Sequence, residues 1–315
     1  MTATPFETLV TVFGGSGFLG RHVVRAIASR GYRVRVAVRR PELAGYLQPL
    51  GRVGQIHSMQ ANLRDAASVE AAARGADVVI NLVGILFERA RQRFDAVHAY
   101  GAEAVARAAS AIGADERASS HYARSKAAGE RLVLAATPSA VVLRPSILFG
   151  PEDDFFNRFA SMACFSPALP LIGGGRTRFQ PVFAGDVAEG IVSAMEGRAR
   201  PGATYEVGGP EVRSFKELMQ FVLATIERRR LLIPIPFALA RLQASLLQLM
   251  PKPLLTPDQV ALLRRDNVVS EQAGREGRTL AALGIDPLTM ASVVPSYLWR
   301  FRRAGQFARP MSENR

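Results

Sequence analysis

Leu9-Val10-Thr11-Val12-Phe13-Gly14-Gly15-Ser16-Gly17-Phe18-Leu19-Gly20 decides how the rest of the chain reads. An apolar and β-branched run gives a buried strand, glycines at every third position give a turn, and a helical pattern from Phe18 to Arg30 follows. Gly14 permits the tight turn, Gly17 lets backbone approach a phosphate, and Gly20 lets the helix pack on the strand. Open N–H groups at the helix start then face an anion. Strand, turn and helix together predict a pyrophosphate cradle. Gly31 closes the helix, and Arg33–Val38 alternates as a second strand with Val34, Val36 and Val38 on one face.

Outward from this unit the same rhythm continues. A strand is expected near Ile56–Met59, a helix over 66–74, a strand over 77–82 and a helix over 95–109. Strands alternating with helices at this spacing predict an α/β fold, a Rossmann-type doubly wound parallel sheet. Ala140–Leu143 is a further apolar strand, leading into Arg144-Pro145-Ser146 and the turn Phe149-Gly150-Pro151. Beyond it the rhythm becomes irregular. Residues 1–150 are therefore expected to form the nucleotide-binding domain. Residues 151–315 are expected to form a smaller α/β cap, interleaved with the last Rossmann elements at about 180–210. In the cap, Gly173-Gly174-Gly175 reads as a turn with no phosphate role, because no helix follows it. Ser214 with Glu217, and Thr256 with Gln259, are capping boxes opening helices. Leu231–Met250 is the longest apolar stretch, interrupted by Pro234, Pro236, Arg241, Gln243 and Gln248. It reads as a buried or interfacial helix, not a membrane span. Tyr297-Leu298-Trp299-Arg300-Phe301-Arg302-Arg303 fits either a membrane-surface segment or aromatics packed on the domain beneath solvated arginines.

With 315 residues, 48% of them hydrophobic, the chain can bury a full core. Cys164 is its single cysteine, which excludes an intrachain disulfide framework. Four histidines without CxxC or HExxH spacing give no reason to expect a metal site. The first strand begins within about ten residues of the start, which leaves no room for a cleavable signal. Lys and Arg number 40 against 27 Asp and Glu, a net charge of +13. Such a balance favours an anionic partner: a phospholipid surface, an acidic protein face or nucleic acid. Nucleic acid is the least favoured of these, since no recognition motif or basic stacking platform is present.

Two constellations carry candidate chemistry. About twenty residues past the glycine turn, where NAD-binding proteins place an acidic residue on the adenosine ribose, this chain has Arg39-Arg40. Paired guanidinium groups grip a 2'-phosphate bidentately, which favours NADP(H) over NAD(H). Tyr122 and Lys126 stand one helical turn apart and so share a face. An adjacent ammonium favours the phenolate and brings the tyrosine toward neutral pH as a general acid or base. Ser110 lies twelve positions upstream.

These features resemble the extended, atypical short-chain dehydrogenases/reductases, the NAD-dependent epimerase/dehydratase kind. GxxGxxG at Gly14, Gly17 and Gly20, Asn62-Leu63-Arg64-Asp65, Asn81-Leu82-Val83-Gly84, Tyr122 with Lys126, Arg144-Pro145-Ser146, and Pro181-Val182-Phe183 with Asp186-Val187-Ala188 all match. The resemblance implies a catalytic set of Ser110, Tyr122 and Lys126. It also implies a cofactor set of Gly14, Gly15, Ser16, Gly17, Phe18, Leu19, Gly20, Arg39, Arg40, Asn62, Leu63, Leu82, Val83, Gly84, Tyr122, Lys126, Pro145, Ser146 and Ile147. More narrowly, Pro253-Leu254-Leu255-Thr256-Pro257-Asp258-Gln259-Val260 with Asp266-Asn267-Val268-Val269 is similar to the branch holding the NADPH-binding accessory subunit of respiratory complex I. Membership would imply a structural NADP(H), complex I subunits and an anionic membrane surface as partners, and a cytoplasmic, peripheral position on the inner membrane face. The competing expectation is an NADP-dependent reductase or a sugar-nucleotide epimerase/dehydratase using Ser110, Tyr122 and Lys126.

One departure stands out. Ala108-Ala109 passes directly to Ser110-Ala111-Ile112-Gly113, where the superfamily has a loop and a hydrophobic strand. The fifth strand is expected to be absent or shortened near 109–112, and the sheet to be repaired by neighbouring residues unless a segment is lacking.

Overall fold

β1 (Leu9–Phe13) forms on the apolar run, with Val10, Val12 and Phe13 almost wholly excluded from solvent. The computed structural model describes residues 4–84, 95–108, 121–247, 255–303 and 305. After the glycine turn come α1 (Phe18–Ser29), β2 (Arg33–Val38), β3 (Ile56–Gln60), α2 (Ala66–Ala73) and β4 (Val78–Asn81). The four strands lie parallel in the order β3-β2-β1-β4, with Val10 opposite both Val34 and Val78, and Val34 opposite Ile56. This is the doubly wound order in which the first strand of one half sits beside β4, the first strand of the next.

β2 is buried more completely than simple alternation predicts: Ala37 is as enclosed as Val34 and Val36. Val36 faces Val24 of α1 across Gly15, whereas Ala37 packs with Leu63, Val69 and Ala72 beside α2. Helices cover both faces, as a parallel sheet requires. Asp65 caps α2 by accepting from the Ala67 N–H at 3.2 Å. Arg35 donates to the carbonyls of Ala72 and Arg74 at its other end.

The helix expected over 95–109 arrives in two pieces, a π-turn at Asp95–Ala99 and then α3 (Tyr100–Ala108). α4 (His121–Ala136) packs against α3 through Ala102, Ala106 and Val133. β5 (Val142–Pro145) begins two residues later than the sequence suggests and pairs in parallel with Thr204–Val207, in a sheet separate from the first four strands. Among the described residues no strand links β4 to β5. Ser110 and the expected gap at 109–112 lie outside the described residues.

Two units emerge from this packing. The first gathers Met1–Pro145, Ala184–Val207 and Ser270–Asp286. Its later segments are tied in closely: Arg30 of α1 reaches Glu189 at 2.6 Å, Gly190 lies against Leu280, and Ser193 Oγ donates to the Leu283 carbonyl at 2.5 Å. The second comprises Ser146–Phe183, Gly208–Val269 and Pro287–Arg315. Its core is aromatic, with Phe155 and Phe156 edge-to-face at 5.2 Å and Phe159 and Phe215 at 5.4 Å. Both predicted capping boxes form, Ser214 with Glu217 and Thr256 with Gln259.

Leu231–Met250 differs from the single helix read from the sequence. Leu231–Ile235 is a strand parallel to Ala168–Ile172, and only Phe237–Leu247 is helical. Pro234 is tolerated because the strand is the edge of a two-stranded sheet, and Pro236 stops it. Residues 248–250 lie outside the described residues. The aromatic tail packs on the second unit. Tyr297 and Leu298 are buried, the Tyr297 hydroxyl donates to Asp153 at 2.6 Å, and Arg302 donates to the Thr225 carbonyl and pairs with Glu227. Burial raises the Asp153 carboxyl above the usual carboxylate range, against the donors that surround it. No helix among the described residues is long and apolar enough to cross a membrane.

Candidate active site and nucleotide cleft

The carboxyl edge of the four-stranded sheet opens into a cleft of about 230 Å³ within the first unit. Open α/β sheets bind ligands at this edge, at the switch point between β1 and β4. Gly14, Ser16 and Gly17 form its floor, Leu82, Val83 and Gly84 one wall, and Arg39, Asn62 and Leu63 the end nearest β2 and β3. Nine of the residues expected to bind the cofactor therefore converge on one cavity.

The glycine turn is built by steric exclusion. Gly14 has φ +78°, a conformation that side chains resist, and a methyl there would also press on Val83. Gly14 donates to the Ala37 carbonyl at 3.0 Å, and Gly17 donates back to the Gly14 carbonyl at 2.9 Å. Neither a side-chain cap nor an acidic residue occupies the first turn of α1. The leading N–H groups and the positive end of the helix dipole are thus presented to the cleft, which suits a diphosphate. The Val83 N–H is held by Asn81 Oδ1 at 3.0 Å, fixing the opposite wall.

Other expected residues have supporting positions. Gly15 is packed between Val36 and Val24, and Gly20 abuts the Gly14 and Gly15 backbone. Phe18 stacks edge-on with His22 at 5.7 Å, and Leu19 belongs to the first turn of α1. Arg40 is turned to Glu42, Nε to Oε1 3.0 Å, with both side chains exposed. Pro145 ends β5. Ser146 and Ile147 belong to the second unit. There Ser146 Oγ donates to the Asn267 carbonyl at 2.6 Å, and Ile147 packs on the aromatic core.

Lys126 stands on α4 with Tyr122 one turn before it. A Cβ placed on Gly84 would lie 3.2 Å from Lys126 Nζ and 3.7 Å from His98 Nε2, so both side chains approach the same wall residue. His98 is carried in by the π-turn, and its Nδ1 lies 3.1 Å from Ser125 Oγ. Burial, reinforced by the Lys126 charge, pushes His98 down to about 3, so the imidazole is neutral at physiological pH. Burial pushes Lys126 down to about 8. The folded chain consequently binds fewer protons than the unfolded chain between about pH 8 and the ordinary lysine value of 10.5. The charged lysine opposes folding fully below pH 8, and the opposition disappears above 10.5. Lys126→Met is expected to raise the melting temperature at pH 7, with the gain shrinking to nothing by about pH 10.5. Melts across that range check it, and a gain independent of pH refutes it.

Several site residues escaped the sequence. Arg64 lines the cleft from the turn before α2, and His98 sits beside Lys126. Tyr46 donates to the Ser16 carbonyl at 2.6 Å while Arg21 lies over its ring at 5.4 Å. Only Arg64 had a visible signal, its place within the quoted Asn62-Leu63-Arg64-Asp65 segment.

Residues 7–121 match the NmrA-like family, and residues 93–208 match the NAD dependent epimerase/dehydratase family. Over 329 aligned positions the chain is 33% identical to NADH dehydrogenase (ubiquinone) 1 alpha subcomplex subunit 9, mitochondrial, of Arabidopsis thaliana, covering 97% of this chain and 81% of that protein. The chain belongs to the alpha subcomplex subunit 9 family. A relative of this subunit 9 family member with an enzymatic name is the ceramide reductase of Caulobacter vibrioides, 37% identical over 180 positions, 54% of this chain and 56% of that protein. Among solved structures, the dTDP-glucose 4,6-dehydratase DesIV of Streptomyces venezuelae, with NAD and TYD bound, aligns at TM-score 0.68 and 18% identity over 95% of this chain and 98% of that one. That likeness shows that this chain shares its fold with that dehydratase.

Proposed function

We propose that the chain is a NADP(H)-binding accessory subunit of a respiratory NADH:quinone oxidoreductase assembly, in which the nucleotide is chiefly a structural ligand. The observation that carries this is the match to the Arabidopsis subunit 9 protein along 97% of the chain. The glycine turn, the uncapped start of α1 and the cleft supply the place for a dinucleotide. A bound nucleotide stabilises the folded form by mass action without any hydride transfer. The +13 charge suits docking beside acidic subunits and an anionic bilayer surface, with the protein peripheral on the cytoplasmic face of the inner membrane. Affinity purification from detergent-solubilised membranes, with mass spectrometry of co-purified proteins and released nucleotide, tests the proposal. Complex I subunits and NADP(H) are expected, and recovery free of complex I subunits refutes it.

A second reading, a reductase or an epimerase/dehydratase, is favoured by one feature: Lys126 is partly buried against Gly84 at the cleft wall although burial penalises its charge. A bound nicotinamide would supply hydride exchange. Tyr122 would exchange a proton with the substrate oxygen, Lys126 would hold the ribose and favour the phenolate, and Ser110 would orient the oxygen. Loss of a measured turnover in Tyr122→Phe with nucleotide retained supports the enzyme, whereas unchanged assembly with no turnover in either form supports the subunit.

A further inference from the structure

We infer that Arg64, together with Arg39, reads the 2'-phosphate of NADP(H), and that Arg40 does not; this rests on the proposal that the cleft is a NADP(H) site. β2 and β3 are parallel neighbours with Val38 opposite Gln60, and the Ala61 N–H donates to the Val38 carbonyl at 2.9 Å. Their carboxyl ends therefore open side by side, about 4.8 Å apart. Arg39 leaves the first end. Arg64 leaves the turn after the second, and both line the cleft. The turn is fixed before any ligand arrives. The Arg64 N–H is accepted by Asn62 Oδ1 at 3.2 Å, and the Asp65 N–H by the Asn62 carbonyl at 2.8 Å, so the backbone that carries Arg64 is set by an Asx turn. Arg40 follows Arg39 beyond the end of β2, is absent from the cleft lining, and its guanidinium is drawn to Glu42.

Among the described residues none lining the cleft is acidic, so none of them accepts from the paired ribose hydroxyls of NAD as an aspartate would. Two guanidinium forks from neighbouring strand ends are matched to a terminal phosphate that carries close to two negative charges and three acceptor oxygens. Adjacency in sequence made Arg39-Arg40 the natural pair. Adjacency in the sheet makes it Arg39 with Arg64.

Isothermal titration calorimetry of the full chain with NADPH and with NADH, for wild type, Arg39→Ala, Arg40→Ala and Arg64→Ala, tests the assignment. Wild type is expected to prefer NADPH. Arg64→Ala and Arg39→Ala should each weaken NADPH at least about tenfold while leaving NADH affinity unchanged. Unchanged NADH affinity also certifies that the variants are folded. Arg40→Ala should stay near wild type for both nucleotides. An intact preference in Arg64→Ala, an equal weakening of both nucleotides there, or loss of preference in Arg40→Ala overturns the inference while the cleft remains a NADP(H) site. Wild type that binds neither nucleotide, or both equally, overturns the NADP(H) proposal and this inference with it.

Discussion

Gly20→Ala is expected to abolish nucleotide binding and to lower stability by about 2–4 kcal/mol. A methyl on Gly20 would overlap the Gly14 carbonyl oxygen and lie 2.6 Å from the Gly15 carbonyl carbon. Every obstacle is backbone, so no rotamer change relieves it. Either α1 slides away from β1 or the turn between them opens, and both displace the N–H groups that face the cleft. Alanine ordinarily stabilises a helix relative to glycine by nearly 1 kcal/mol, so the sign here is opposite to intrinsic preference. Urea unfolding measures the stability and calorimetry with NADPH and NADH the binding. A variant as stable as wild type would refute the close packing of α1 on the turn.

Gly129→Ala should be comparably disruptive for a different reason. The added methyl would run into the His98 carbonyl oxygen and lie 2.9 Å from its carbon, at the point where α4 rests on the π-turn. α4 would have to withdraw, taking Ser125 away from His98 and Lys126 away from Gly84. A loss of about 2–4 kcal/mol is expected, together with weaker nucleotide binding. Gly274→Ala is the matched control, since it also lies in a helix but has nothing within 4 Å of the added methyl. It should be neutral or stabilising by up to about 1 kcal/mol. If unfolding curves place Gly129→Ala with Gly274→Ala, the close contact at His98 is not real.

The sequence read well where a local pattern has one solution. β1, the glycine turn, α1 and β2 are legible because strand period, turn glycines and helix period succeed one another with no room for alternatives. The capping boxes at Ser214 and Thr256 are equally local. Leu231–Ile235 misled because a five-residue apolar run suits a strand or a buried helix equally, and only the distant partner Ala168–Ile172 decides. The π-turn before α3 carries no sequence mark, which is why His98 was overlooked. The pairing of Arg64 with Arg39 is not legible in the sequence, because what brings the two together is the register of β2 on β3 and not separation along the chain. Tyr122 has no described side chain, and Ser110 lies outside the described residues. Their catalytic roles stay where the resemblance put them, as proposals.

The first unit is assembled from three separate stretches, and the last of them carries Leu280 and Leu283, both buried, together with the Arg278 contact to the Thr204 carbonyl. A ribosome making this chain must therefore finish the entire second unit except its final stretch before the first can close. Until Asp286 emerges, Ala184–Ser193 can lean on α1, but its flank around Gly190 and Ser193 still lacks Leu280 and Leu283.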